Sequence, residues 1–233
     1  MDPQIISYTR TGAAHRLSGV ENQDACLSVK TDRFLFAAVA DGVSACKNSK
    51  EGAVAACSLA ADICETETDY LFSLSEKKLA GVLLGYIRDS LARLAAEKGE
   101  EAASYASTLS FLCTDRETDR ALLFSLGDGM VRCLGRDGGA VLPVCPPPSQ
   151  GGPCCATMTA HAEEQTRVAF LPAGTLSDVF LCSDGVWKTL GADSWELPPE
   201  ELCRRLEEAD PADDCTFMLC SLHKPRGRER KTI

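Results

Sequence analysis

The sequence predicts an α+β domain, a central β-sandwich of two antiparallel sheets flanked by α-helices. Three observations predict it. Strand-like apolar runs come first, two segments with helical spacing follow, and a long series of short apolar runs separated by turn residues completes the chain. The apolar period therefore drops from about 3.6 residues to about 2 once the second helical segment ends. With 233 residues, 45% hydrophobic and 25% charged, the chain can bury one sizeable core, and two sheets packed face to face with helices outside would bury these runs.

Taken in order, Gln4–Thr9 reads as a strand and a polar loop follows it. Ala25–Val29 and Phe34–Ala40 read as two short strands around the turn Lys30–Arg33. Ser49–Glu65 carries Ala53, Ala56, Cys57, Ala60 and Cys64 at helical spacing. Ser75–Glu97 does the same with Leu79, Val82, Leu83, Tyr86, Ile87, Leu91 and Leu94, with Ser73 or Ser75 as its N-cap. Ser107–Thr114, Ala121–Leu126 and Met130–Leu134, separated by DRETDR and GDG, read as an antiparallel meander. CPPPSQGGP (145–153) is a loop. Ala156–Ala160, Thr166–Phe170 and Val179–Cys182 resume strand character. Pro198–Glu208 opens on prolines that suit a helix N-terminus, and Cys215–Leu222 is a last strand. Residues 1–222 are thus expected to form one catalytic domain, and 223–233 a basic tail without an apolar period.

Composition removes several function classes. The formal charge is −10, from 24 Lys and Arg against 34 Asp and Glu, so nucleic acid is not an expected partner. The N-terminus lacks a basic region followed by an apolar run, and the most apolar helical stretch (80–96) is interrupted by Arg88, Asp89 and Arg93. No membrane association is expected, and the expected location is cytoplasmic, where thiols stay reduced. The 13 cysteines are odd in number and form no C-x-x-C pair, which argues for small buried hydrophobes rather than a disulfide framework or zinc site. Cys154–Cys155, in the Gly/Pro loop, is the pair most open to oxidation.

Five short segments put Asp at the end of an apolar run or in the turn beside one: NQDA (22–25), VADGV (39–43), SLGDG (125–129), LCSDGVW (181–187) and ADDCT (212–216). Any one of them is an ordinary turn signal. Together they match what hard divalent cations require, several oxygen ligands brought from separate strand ends. An acidic chain that must attract a phosphate ester also needs local positive charge, and such ions would supply it.

The order NQDA, VADGVS, STLSFL, SLGDGMVRCL, VFLCSDGVW, DDCTFML resembles the metal-dependent protein phosphatase family, type 2C. TGAAHRLSGVENQDA followed by DGVSACKNSKEGA resembles a divergent bacterial branch of it, and the likeness covers about residues 8–222. The resemblance implies hydrolysis of phosphoserine and phosphothreonine in proteins by a hydroxide bridging two Mg²⁺ or Mn²⁺ ions. It implies a β-sandwich flanked by helices, a phosphorylated protein as substrate, and a cognate Ser/Thr kinase as a further partner. Residue by residue, Asp41 matches the ligand that bridges both ions and is central to catalysis. Gly42 matches the residue that offers its backbone carbonyl, Asp24 the ligand of the second ion, and Asp184 and Asp213 the ligands completing the first. Asp214 stands where Asn or Asp is common. Asp128 matches a residue linked to a third, weaker ion.

The chain also departs from that pattern. The position five before Asp24, where relatives often carry a phosphate-gripping Arg, is Gly19; Arg16 is the substitute nearby, and its other reading is a solvated loop residue. Val43 stands where some relatives have His, and Lys188 stands where an acidic residue is frequent, to occupy or oppose a third ion. His15 is either a hydrogen-bonded loop residue or a phosphate contact and proton donor to the leaving alkoxide. Two functions follow: an active phosphatase, or a catalytically weak phosphatase-like module that binds a phosphoprotein or regulatory partner. Retention of the four ligand-type aspartates, a cluster that repels itself unless a cation is bound, favours the first.

Overall fold

The computed structural model describes residues 3–145 and 156–222. The chain runs β1 (Gln4–Arg10), α1 (Ala13–Ser18), β2 (Asp24–Lys30), β3 (Phe34–Asp41), α2 (Ser49–Thr66), α3 (Thr68–Ser73) and α4 (Glu76–Lys98). It continues through β4 (Leu109–Asp115), β5 (Arg120–Leu126), β6 (Met130–Gly135), β7 (Ala140–Cys145), β8 (Arg167–Pro172), β9 (Leu176–Cys182), α5 (Asp184–Leu190), α6 (Pro199–Ala209) and β10 (Cys215–Ser221). One five-stranded sheet has the order β1-β10-β9-β6-β7 and the other β2-β3-β4-β5-β8. Every pairing in both sheets is antiparallel. The expected sandwich is present.

Alternation along β3 explains the layering. Leu35, Ala37 and Val39 face the other sheet, where they meet Val131, Val179, Leu181 and Met218 in the inter-sheet core. Phe34, Phe36, Ala38 and Ala40 point the other way, under α2 and α4, with Ala56, Cys64, Leu83, Ile87 and Leu91. A strand buried on both faces must be apolar throughout, which is why this segment shows no polar alternation. The opposite sheet is covered by α5 and α6, whose Val186, Leu202 and Leu206 pack on Phe180 and Phe217. Helix, sheet, sheet, helix is the resulting order of layers. Cys57 and Cys64 share the buried face of α2, and Cys113, Cys133, Cys182, Cys215 and Cys220 are buried too. No helix among the described residues is long and apolar enough to cross a membrane.

Four sequence expectations need correction. Ala156–Ala160 is a series of turns, not a strand. Its carbonyls are satisfied from α4 instead of a ladder: the Arg88 guanidinium donates to the Thr157 carbonyl at 2.7 Å and to that of Thr159 at 2.6 Å. The polar stretch after β1 contains α1, so His15 and Arg16 sit on a helix, closed by Gly19 in the left-handed conformation at φ 71°. Cys145, assigned to the Gly/Pro loop, closes β7 instead. Ser75 is in the N-cap position of α4, but its hydroxyl makes no capping bond. The rest of that loop, the Cys154–Cys155 pair and the basic tail 223–233 lie outside the described residues.

Candidate metal centre

The aspartates converge because strands of both sheets end at the same edge of the sandwich. Asp24 opens β2 and Asp41 closes β3, and antiparallel register sets them directly opposite each other. Asp184 is the first residue of α5, just beyond the end of β9, and Asp213 and Asp214 immediately precede β10, which pairs with β9. Asp128 lies in the turn between β5 and β6. One carboxylate oxygen from each of Asp41, Asp128 and Asp184 falls within 4.8 Å of the others. Two ligands on opposite sides of a Mg²⁺ ion are about 4.0–4.2 Å apart, so little adjustment is required.

Backbone packing at two glycines makes this approach possible. A Cβ on Gly185 would lie 2.0 Å from the Asp214 carbonyl oxygen, so only glycine lets the start of α5 pass against the segment before β10. A Cβ on Gly42 would come within 2.7 Å of the Ser49 backbone, which keeps the end of β3 close to the start of α2. Gly42 itself is buried and bridges to Ser107.

Hydrogen bonds fix the carboxylates. The Ser183 hydroxyl donates to Asp24 Oδ2 at 2.7 Å and accepts from the Thr216 amide at 3.0 Å. The Asp41 amide donates to Thr108 Oγ1 at 2.9 Å, and the Thr108 amide donates back to the Asp41 carbonyl at 2.7 Å. Lys50 donates to the backbone carbonyl of Asp24, not to its carboxylate, at 2.6 Å. Asp24 Oδ1 and Asp184 Oδ1 are buried without a hydrogen-bond partner among the described residues. Buried oxygens of this kind are costly unless something electropositive meets them, and the all-oxygen donor set suits a hard divalent cation.

Electrostatics agree. Burial first, and then the charges of Asp24, Asp184 and Asp213, push the Asp41 carboxyl well above the usual carboxylate range. Asp24 is raised mainly by burial, with Asp214 adding to it, and Asp213 is raised by burial and then by Asp184. Without a cation, this cluster favours keeping protons. Lys188, on α5, hydrogen-bonds Asp184 Oδ2 and stands 3.8 Å from Asp128 Oδ2. Burial opposes its charge, but the Asp184 hydrogen bond and the Asp184, Asp128 and Asp213 charges outweigh that and raise its pKa.

Asp214 is the residue whose position the sequence flagged without a role. One oxygen accepts the Gly12 amide at 2.7 Å; the other accepts the Gln23 amide at 2.6 Å and meets His15 Nδ1 at 2.9 Å. It therefore ties α1 to the segment leading into β2 and orients the His15 ring. Ser183 is a second residue that sequence alone missed, because nothing in the order of residues signals a contact spanning 159 positions. Arg16 directs its guanidinium to the Thr11 carbonyl and to Asp210, which also pairs with Arg10.

A family model described as protein phosphatase 2C matches residues 11–224. Among solved structures, serine/threonine phosphatase Stp1 from Staphylococcus aureus superposes with a TM-score of 0.64 at 12% identity, covering 96% of each chain. PppA, a regulatory component of the type VI secretion system in Pseudomonas aeruginosa, gives 0.62 at 19% identity, covering 95% of this chain and 98% of its own. RsbX, solved in complex with magnesium, gives 0.56 at 16% identity over 94% of both chains. No curated protein sequence matches the chain.

Proposed function

This chain belongs to the protein phosphatase 2C family, and from that premise we propose that it is a Mg²⁺- or Mn²⁺-dependent hydrolase of phosphoserine and phosphothreonine in proteins. The observation that carries the proposal is the approach of the Asp41 and Asp184 carboxylate oxygens to within 4.8 Å, beside buried oxygens on Asp24 and Asp184 that have no hydrogen-bond partner among the described residues. Asp24, Asp41, Asp184 and Asp213 would hold two divalent cations. When bound, such ions supply an acidified water for in-line attack and neutralise charge on the phosphoryl oxygens.

The chain's own groups do the rest. Asp24, Asp41 and Asp213 give up the protons that burial and their neighbours favour, so binding of a cation releases protons and tightens with rising pH. Ser183 and Thr108 hold Asp24 and the end of β3 in place through this exchange. Asp214 fixes the His15 ring through Nδ1, which leaves Nε2 as the atom to contact a phosphoryl oxygen or protonate the departing Ser or Thr oxygen. The bond between phosphorus and that oxygen breaks as water oxygen takes its place, with no covalent link to the chain. Its substrate class is a phosphorylated protein, with a cognate Ser/Thr kinase as the supplier and the cytoplasm as the location. A catalytically weak binding module is not favoured, because the acidic cluster is kept whole at a cost in repulsion.

Turnover of p-nitrophenyl phosphate with Mn²⁺, compared with the same protein in excess EDTA, tests this reading. Hydrolysis that appears with Mn²⁺ and vanishes with EDTA is expected. Equal hydrolysis in both, or none in either, overturns it.

A further inference from the structure

The Asp128–Asp184 side of the cluster already has a cation in the chain itself. Lys188 Nζ hydrogen-bonds Asp184 Oδ2 and lies 3.8 Å from Asp128 Oδ2. It sits one turn along α5 from Asp184, so the helix presents both groups to the same notch. The neighbouring Trp187 donates its Nε1–H to the Asp128 backbone carbonyl at 2.8 Å, which docks the Asp128 turn on the same helix. Two consecutive side chains of α5 therefore hold Asp128, one by its backbone and one by its carboxylate. We infer that Lys188 is a tethered monovalent cation that neutralises the Asp128–Asp184 side of the cluster and limits the chain to two divalent ions, with Asp128 serving as its counter-charge and not as an ion ligand. The inference rests on the metal-dependent reading above and goes beyond it by assigning Lys188 a role and by taking Asp128 out of the ligand set.

The exclusion follows from space and charge. A divalent ion held by Asp128 and Asp184 needs bonds of about 2.0–2.2 Å to their oxygens. The ammonium already occupies hydrogen-bonding distance of the Asp184 oxygen on that side. Both cations cannot lie in the notch, and a like charge beside it weakens any ion that displaces the ammonium. Asp184 Oδ1, buried and without a hydrogen-bond partner among the described residues, is the oxygen left for an ion. Lys188 is a positioning residue here: it touches ligands of the ions, not the substrate.

Counting Mn²⁺ bound per chain by equilibrium dialysis with elemental analysis tests this without reference to activity. Wild-type protein is expected to hold two ions, and Lys188→Arg two. Lys188→Met, at a half-exposed position compatible with folding, is expected to gain a third, and Lys188→Met combined with Asp128→Asn to return to two. Asp128→Asn alone should still hold two, which keeps the test decisive even if Lys188→Met does not fold. Three ions in wild type, no gain in folded Lys188→Met, or the loss of one in Asp128→Asn overturns the inference and leaves the metal-dependent reading standing. No Mn²⁺ bound by wild type overturns that reading, and this inference with it.

Discussion

Asp24 and Asp41 face each other in register, and both carboxyls are held toward the protonated form by burial and neighbouring carboxylates. The linkage is opposite in sign to that of a salt-bridged acid. The folded chain binds protons that the unfolded chain, with carboxyls titrating near 3.9, has released. The metal-free protein should therefore lose stability as pH rises from about 4 through the raised folded values, and level off above them. Thermal melts in EDTA are expected to show Tm falling as pH rises from about 4 through about 6, where Asp24 titrates, and on through the raised Asp41. Asp41→Asn should flatten that slope and raise Tm at the upper end, by about 2–4 °C for each kcal/mol of repulsion relieved. A variant with the wild-type slope and a lower Tm would mean that the Asp41 charge is favourably paired in the metal-free state. The five aspartate segments were legible in the sequence because Asp at the end of an apolar run is a local signal, reinforced in three of them by a following Gly. The positions of Ser183 and Asp214 as supports were not, since the Asp214 bonds to Gly12, His15 and Gln23 join the two ends of the chain.

Secondary structure was most legible where burial imposes a pattern over many residues. β3, with seven buried residues in a row, could only be a strand covered on both faces. α2 and α4 declared themselves through small and branched apolar residues at helical spacing. Shorter elements were hidden. α1 buries no residue, so it carries no period to detect, and α5 begins on an Asp-Gly pair that reads as a turn. Residues 156–160 look like a strand in composition, but the Arg88 guanidinium arriving from α4, turn bonds such as the Thr159 amide to the Ala156 carbonyl, and the Thr157 amide to Ser107 take the place of a ladder. The centre of the helix-facing core is the aromatic row Phe36, Phe111 and Phe124, with Phe111 stacked at 4.9 Å on Phe124 and 5.2 Å from Phe36. Phe111→Ala should cost about 3–5 kcal/mol in urea unfolding, because the cavity lies between a sheet and helices that cannot collapse onto it. A loss below about 1 kcal/mol would show that α2 and α4 settle into the gap.

At the scale of the whole molecule, the sandwich gathers at one edge the ends of strands far apart in sequence. β2, β3, β9 and β10 supply or adjoin Asp24, Asp41, Asp184 and Asp213, and helices pack on the outer face of each sheet. The sequence implied this gathering only through the resemblance of its motif order to a family, because local pattern alone cannot say which strand ends meet. The central claim is that this gathered cluster makes the chain a metal-dependent protein phosphatase, and its most direct test is phosphate release from a phosphoseryl peptide under saturating Mn²⁺, for wild type and Asp41→Asn side by side. Wild type should release phosphate, and Asp41→Asn should lose on the order of 10²-fold or more in kcat/KM, equivalent to roughly 3 kcal/mol of transition-state stabilisation, while remaining folded. Near-equal turnover by the two proteins, or no release by wild type, would contradict the claim.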